Sequence, residues 1–189
     1  MPIKPLKIAL VGTCCSGKTT IFEGLRRAHR DNSKIIFVTE AARKVFAVNP
    51  ALQKDHFSLN AQRAVQRQAI KSEKKALRKK PEVIICDRSV VDSIVYLHST
   101  GRKDEVDILF EEMAHWIPSY DRFILFDPRD IPYSQDEIRN EPPEKRLALH
   151  TAYQEFFAAK KIPYSLLSGS QATRLRKIKK IIGSLFILS

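Results

Sequence analysis

Residues 7–19 read Lys7-Ile8-Ala9-Leu10-Val11-Gly12-Thr13-Cys14-Cys15-Ser16-Gly17-Lys18-Thr19, an apolar run that passes directly into the pattern G-x-x-x-x-G-K-[ST]. The spacing has a physical reason. A strand delivers the chain to a turn in which the glycines let successive backbone N–H groups converge on one concavity. The helix that follows adds its positive partial charge at the same point. Lys18 carries a mobile point charge to β- and γ-phosphate oxygens, and Thr19 offers a hydroxyl to the Mg²⁺ that bridges them. Gly12, Thr13, Cys14, Cys15, Ser16, Gly17, Lys18, Thr19 and the adjoining Thr20 are therefore candidate ligands of a nucleoside triphosphate. ATP and Mg²⁺ are the expected cofactors.

Working outward, short β-branched runs alternate with longer helical patterns, the signature of βαβ units and a parallel sheet. Five strands are predicted: Lys7–Val11, Ile35–Thr39, Val83–Cys86, Arg122–Phe126 and Tyr164–Leu167. Their near-continuous apolar character suits strands covered on both faces. Helices are expected over Gly17–Arg30, Leu59–Lys80, Arg88–Ser99, Asp104–Trp116, Glu144–Lys160 and Ala172–Leu188. The last places Leu175, Ile178, Ile182 and Leu185 at helical spacing, so it packs on the sheet. Two segments break the rhythm. Phe46–Phe57 carries Asn49-Pro50, a break between short helices, and Asp127–Pro143 carries Asp-Pro, Ile-Pro and Pro-Pro pairs between the fourth strand and the next helix. A polar connection of that length in a compact domain is usually functional or mobile.

The 189 residues suit one domain spanning 1–189, with enough chain to bury a core without disulfides or a structural metal. Three cysteines without paired spacing favour a reducing compartment. No apolar run approaches a membrane span and the N-terminus does not read as a signal peptide, so a cytoplasmic protein with no membrane partner is expected. Cys86, inside an apolar strand, reads as a small core residue. Cys14 and Cys15 read as small loop residues whose amides matter, with oxidation sensitivity the sharper alternative. The five histidines show no metal-ligand spacing.

The formal charge of +12 has two readings. It attracts polyanions, so nucleic acid is a possible partner. It also suits a protein that handles multiply charged phosphates, and the basic residues are spread through the chain. The densest stretches, Arg63–Lys80 and Arg174–Lys180, alternate with apolar residues as solvated helix faces do. The second reading is favoured.

The third predicted strand ends in Cys86-Asp87-Arg88-Ser89. An Asp at the carboxyl edge of a strand beside the phosphate loop reaches the Mg²⁺ shell, and the adjoining Arg can hold an anionic oxygen over the phosphoryl path. The plain alternative is a surface ion pair. Asp92, one turn further, is placed to support Arg88 or to balance surface charge.

Four pieces of the chain together resemble small AAA-like P-loop nucleoside and nucleotide kinases, the group with the nicotinamide-riboside kinase domain and the thymidylate and deoxynucleoside kinases. They are GTCCSGKTT at 12–20, VTEAAR at 38–43, CDRSVVDS at 86–93 and YSQDEIRNEPPEKR at 133–146. The resemblance implies a three-layer α/β P-loop NTPase fold with a five-stranded parallel sheet in order 2-3-1-4-5 and a lid near 127–146. It implies an acceptor-side role for Glu40, gripping or deprotonating a hydroxyl, with Arg43 facing the same cleft. The plain alternatives are a first-turn acid stabilised by the helix dipole and a solvated arginine. Arg139 and Arg146, with Lys145, become lid cations that close on the triphosphate. Gly169, in Ser168-Gly169-Ser170 followed by Arg174, becomes part of a loop against the adenine, with an ordinary strand-to-helix turn as the equal alternative.

The sequence departs from switch GTPases, having neither N-K-x-D nor D-x-x-G at the third strand. The region 46–68 matches no acceptor motif; Gln62, Gln66 and Gln68 are candidate reading amides or solvated side chains. The expected activity is transfer of the γ-phosphoryl of ATP to a small acceptor, a nucleoside or nucleoside monophosphate, with catalysis resting on Lys18, Asp87, Arg88, Glu40, Arg139 and Arg146. Glu40, Arg43 and Arg88 would bind the acceptor, and Thr19 with Asp87 the metal. The alternatives are a nucleotide-dependent ATPase or nucleic-acid-associated protein, polynucleotide kinase included, and a kinase of a non-nucleotide metabolite. A homodimer is possible.

Overall fold

The computed structural model describes residues 4–133 and 143–186. Five strands, β1 (Leu6–Val11), β2 (Ile35–Val38), β3 (Val83–Asp87), β4 (Arg122–Phe126) and β5 (Tyr164–Leu167), form one sheet in the order β2-β3-β1-β4-β5. All four pairings are parallel. The helices are α1 (Lys18–Ala28), α2 (Ala41–Val48), α3 (Pro50–Lys54), α4 (Leu59–Leu77), α5 (Val90–His98), α6 (Lys103–Met113), α7 (Pro143–Ala159) and α8 (Gln171–Phe186), with a 3₁₀ turn at Ile117–Ser119.

The alternation of side chains along β1 builds both layers at once. Ile8 and Leu10 pack against Ile21, Phe22 and Leu25 of α1 and Ile178 and Ile182 of α8. Ala9 and Val11 face the other way, into a core with Ile94 of α5, Leu109 of α6 and Tyr153 and Phe157 of α7. Each of these large apolar side chains contributes about 1.5–3 kcal/mol by leaving water. Cys86 lies in that second core. Among the described residues no helix is long and apolar enough to cross a membrane.

Local chemistry sets the boundaries. Asn49 ends α2 and caps α3 ahead of Pro50, accepting from the Leu52 N–H at 3.4 Å. This is the predicted break. Ser58 caps α4, and Ser89 with Asp92 forms a capping box on α5. The 3₁₀ turn has no periodic signal in so few residues.

Lys7 is a charged residue in a strand that the sequence pattern treats as apolar. Its ammonium is buried at the edge away from the phosphate loop, donating to Glu73 Oε2 at 2.9 Å and Ser119 Oγ at 2.8 Å. The rings of Trp116 and Tyr120 lie under it at 4.5 and 4.7 Å. Trp116 and Tyr120 also donate to Glu73, so the buried pair is hydrogen-bonded on every side.

Candidate active site

Parallel pairing brings the carboxyl ends of β1, β3 and β4 to one edge, where Leu10 is level with Asp87 and Val11 with Leu125. The loop from Gly12 to Gly17 crosses this edge into α1. Gly12 has φ +136°, and a Cβ there would stand 3.1 Å from the Phe126 carbonyl oxygen, so only glycine fits. Gly17, at φ +82°, is the N-cap of α1. Cys15 also lies in the left-handed region at φ +48°, a conformation uncommon for a residue with a Cβ. Ser16 Oγ donates to the Thr13 carbonyl at 2.9 Å. The Lys18 ammonium donates to the same carbonyl and, at 3.1 Å, to Ser16 Oγ. Thr19 and Thr20 are exposed on the first turn of α1.

Beside the loop, Arg88 holds three elements together. Its Nε donates to Glu40 Oε1 at 2.7 Å, and its Nη1 donates to the Gly12 carbonyl and to Asp92 Oδ1, both at 3.1 Å. Its guanidinium lies 5.3 Å from the Tyr96 ring centroid. These contacts hold the backbone of Arg88 at φ +78°, which a residue with a Cβ adopts only where its surroundings compel it. Asp92 completes its shell from Tyr153 Oη at 2.7 Å and the Ser89 N–H at 2.7 Å. The Asp92 carboxylate therefore serves both Arg88 and the α5 cap, and it is buried rather than a surface charge. Glu40 is also buried, and its second oxygen accepts from Arg43 Nε at 3.0 Å. Arg43 is half exposed on the same side. Glu40 is the N-cap residue of α2 without capping it by its side chain; both oxygens are turned to arginines instead.

Asp87 sits between these groups, buried, with no described residue donating a hydrogen bond to its carboxylate. Burial pushes its pKa up; Lys18 opposes this, while Glu40 and Asp92 add to it. A buried carboxylate so disfavoured in its charged form fits a cation that arrives with the substrate. Mg²⁺ takes most of its shell from phosphates and water, needing one or two protein oxygens. Thr19 and Asp87 can supply those. Among the described residues no three His, Cys, Asp or Glu side chains gather as a metal cluster.

Across the loop, Arg146 of α7 is buried and donates to the carbonyls of Cys15 at 3.1 Å and Ile131 at 3.2 Å. The predicted lid residue thus reaches the phosphate loop, and Lys145 beside it is exposed. Arg139 and most of the predicted lid lie outside the described residues. Gly169, at φ +99°, donates its N–H to Asp130 Oδ2 at 2.6 Å. Asp127, at the end of β4, is paired with Arg129, whose hydrogen bonds hold its carboxyl down at about 2.

From the sequence, Arg174 only marks the loop after the fifth strand and opens a basic stretch read as a solvated helix face, and for this residue the structure corrects that reading. It is wholly buried and donates to the carbonyls of Ser16 at 2.8 Å, Asp127 at 2.6 Å and Gly169 at 2.7 Å. One guanidinium therefore ties the loops after β1, β4 and β5. A signal was available: Arg174 stands four residues before Ile178, on the buried stripe of its helix. Gln66 is a correction of another kind. It is neither solvated nor a reading amide, being wholly buried with Nε2 donating to the Val90 carbonyl at 3.0 Å. Gln62 is buried too and donates to the His56 carbonyl.

A parallel sheet of this order, with a glycine-rich loop passing from its central strand into a helix, defines a P-loop NTPase fold. The chain belongs to the AAA-domain family, which matches residues 7–174. No curated protein sequence matches it. Among solved structures it is similar to the NadR protein in complex with NAD and AMP-PNP, at 15% identity and a TM-score of 0.74. That match covers 96% of this chain and 49% of the other, so the chain spans about half the length of NadR.

Proposed function

We propose that the chain is an ATP-dependent phosphotransferase that moves a γ-phosphoryl group to a small acceptor, a nucleoside or nucleoside monophosphate. One observation carries the reading. Arg88 joins the Glu40 carboxylate directly to the Gly12 carbonyl of the phosphate loop, so a hydroxyl-gripping group and the donor site share one rigid arginine. The AMP-PNP bound by NadR supports ATP as donor.

In this reading the loop amides and Lys18 bind the triphosphate, with Gly169 beside its base. Thr19 and Asp87 hold Mg²⁺, which neutralises charge on the phosphates when bound. Glu40, both of whose oxygens engage arginines, orients the acceptor hydroxyl more than it acts as a free base. Arg88 and the lid arginines Arg139 and Arg146 balance charge as the phosphoryl group moves. Positioning and electrostatics supply the rate, as phosphoryl transfer requires little covalent work. A row of half-buried rings continues from the Arg88 end of the cleft. Tyr96 stacks on Phe57 with centroids 5.9 Å apart, and Phe57 lies 4.2 Å from His56. The row supports an acceptor that carries a planar ring.

The deciding experiment is an ADP-release screen with Mg-ATP across nucleosides, nucleoside monophosphates and phosphorylated metabolites, with DNA and RNA ends alongside. ADP formed in proportion to a ring-bearing small acceptor is expected. Hydrolysis stimulated by polymers alone overturns the reading.

A further inference from the structure

Helix α4 carries a charge pattern that the phosphate site does not use. Its basic residues are Arg63, Arg67, Lys71, Lys74 and Lys75, and its one acid, Glu73, is turned inward to Lys7. The outer face is thus left cationic, with Arg63, Arg67, Lys71 and Lys75 at successive i,i+4 positions. Like charges at that spacing destabilise a helix. Interleaved glutamates would reverse the sign, and the helix has none there. A face kept so at the helix's own expense calls for an anionic partner.

The face is also concave. Asn60, Arg63, Ala64, Arg67, Gln68 and Lys71 line an open groove of about 430 Å³, with Val45 of α2 as its other wall. Arg63 is neutralised by a two-pronged pair with Glu112 at 2.7 and 2.9 Å. Arg67 and Lys71 are exposed and have no acidic partner among the described residues. Val45 and Ala64 give the groove apolar floor, and the Asn60 and Gln68 amides give it hydrogen-bonding atoms.

We propose that this α2–α4 groove binds the backbone of single-stranded nucleic acid. Its cations rise along one line at about 6 Å per four residues, so they meet successive phosphates along one strand. The groove is open along its length, so an extended strand can lie in it. The Asn60 and Gln68 amides beside the cations can hydrogen-bond the Watson–Crick edges that only unpaired strands leave free. With no aromatic ring among the lining residues, binding follows charge more than sequence. The groove is lined by none of the residues assigned to phosphoryl transfer, so it stands whether or not that reading does.

The test is fluorescence anisotropy with a labelled oligothymidylate of about 12 nucleotides, within the usual site size, titrated with the full chain at several salt concentrations and without Mg-ATP. Binding that weakens linearly in log salt is expected. The pair Arg67→Glu and Lys71→Glu is expected to lower affinity tenfold or more and to reduce the salt slope by about 1.4, or 0.7 per lost phosphate contact. Lys179→Glu with Lys180→Glu, on α8, makes the same charge change elsewhere and is expected to leave the slope unaltered; melting curves check that both variants fold. Equal loss in both variants assigns the binding to the diffuse field of the protein and overturns the groove. So does the absence of oligonucleotide binding, including the case in which anionic vesicles or an acidic polypeptide bind instead.

Discussion

Arg174 donates to the Ser16 carbonyl at 2.8 Å across 158 residues of chain, joining the last helix to the first loop. The same guanidinium reaches Asp127 and Gly169, so the nucleotide edge of the sheet is braced from within rather than by its surface. Arg174→Met leaves three inward carbonyls without their donor. Loss of several kcal/mol is expected, since each buried carbonyl left unsatisfied costs about 1–3 kcal/mol. Arg174→Lys keeps the charge but lacks the planar fork, so its loss falls between. Urea melts of the three proteins measure this, and an unchanged midpoint for Arg174→Met refutes the brace.

Much of this architecture is legible in the chain itself. The five strands declare themselves because each is apolar on both faces, and Gly12 to Thr19 declares the phosphate loop because its residue types follow from the job. Arg88 and Asp92 are legible as partners because the predicted helix Arg88–Ser99 sets them four apart, although in the structure Arg88 precedes the Ser89 N-cap and reaches Asp92 from outside α5. Tyr153 is not. It completes the Asp92 shell from 61 residues away, and nothing near it in sequence marks a phenol that will be buried against a carboxylate. Gln66 misleads in the same way, since a polar residue in a basic helix reads as solvated until α5 is packed against it. Local chemistry survives in sequence; approach between distant elements does not.

Lys18 donates to two groups of its own loop, the Thr13 carbonyl and Ser16 Oγ. Lys18→Ala is expected to preserve the fold while weakening transfer by at least about 10²–10³-fold, the scale of one lost charge-stabilising donor. Circular dichroism and an acceptor-dependent ADP assay separate the two effects. Transfer at the wild-type rate would remove the loop from the mechanism.

Arg88→Lys is expected to be far from conservative. A single ammonium cannot meet Glu40, Gly12 and Asp92 together, and Glu40 is left buried with one guanidinium fewer. A fall in kcat of about 10²-fold, the order seen when a reacting group is misplaced by an ångström, is expected, with KM for the acceptor raised and KM for ATP little changed. An unchanged kcat with an unchanged acceptor KM would argue against a link between acceptor and donor sites through this residue.

Asp87 shows function held against stability. Burial raises its pKa, so ionisation costs the folded state at neutral pH. The favourable protonated form is lost as pH rises from the ordinary 3.8 through the folded value. Asp87→Asn removes that cost. A rise in the melting temperature of the nucleotide-free protein by about 2–4 °C, the shift for roughly 1 kcal/mol in a domain of this size, is expected at pH 7. Calorimetry is expected to show weaker Mg-nucleotide binding by the same variant, while binding of nucleotide with EDTA changes little. A destabilised Asp87→Asn, or one that binds Mg-nucleotide as tightly, contradicts the assignment.

His150 gives the acid limb of stability. It lies one turn beyond Arg146 on α7, buried, with neither ring nitrogen hydrogen-bonded to a described residue. Burial lowers its pKa below 6.5; Asp127 opposes and Arg129 reinforces the shift. The folded chain holds the ring neutral while the unfolded chain takes up a proton as pH falls past 6.5. Stability from this residue is therefore full above that value and drains away below it. His150→Leu removes the titration together with two unpaired polar atoms, each worth about 1–3 kcal/mol when left unsatisfied. The variant is expected to match or exceed the parent at pH 7.5 and to lose less between pH 7 and pH 5.5. Urea midpoints across that range measure the slope, and identical slopes would mean that other groups carry the acid sensitivity.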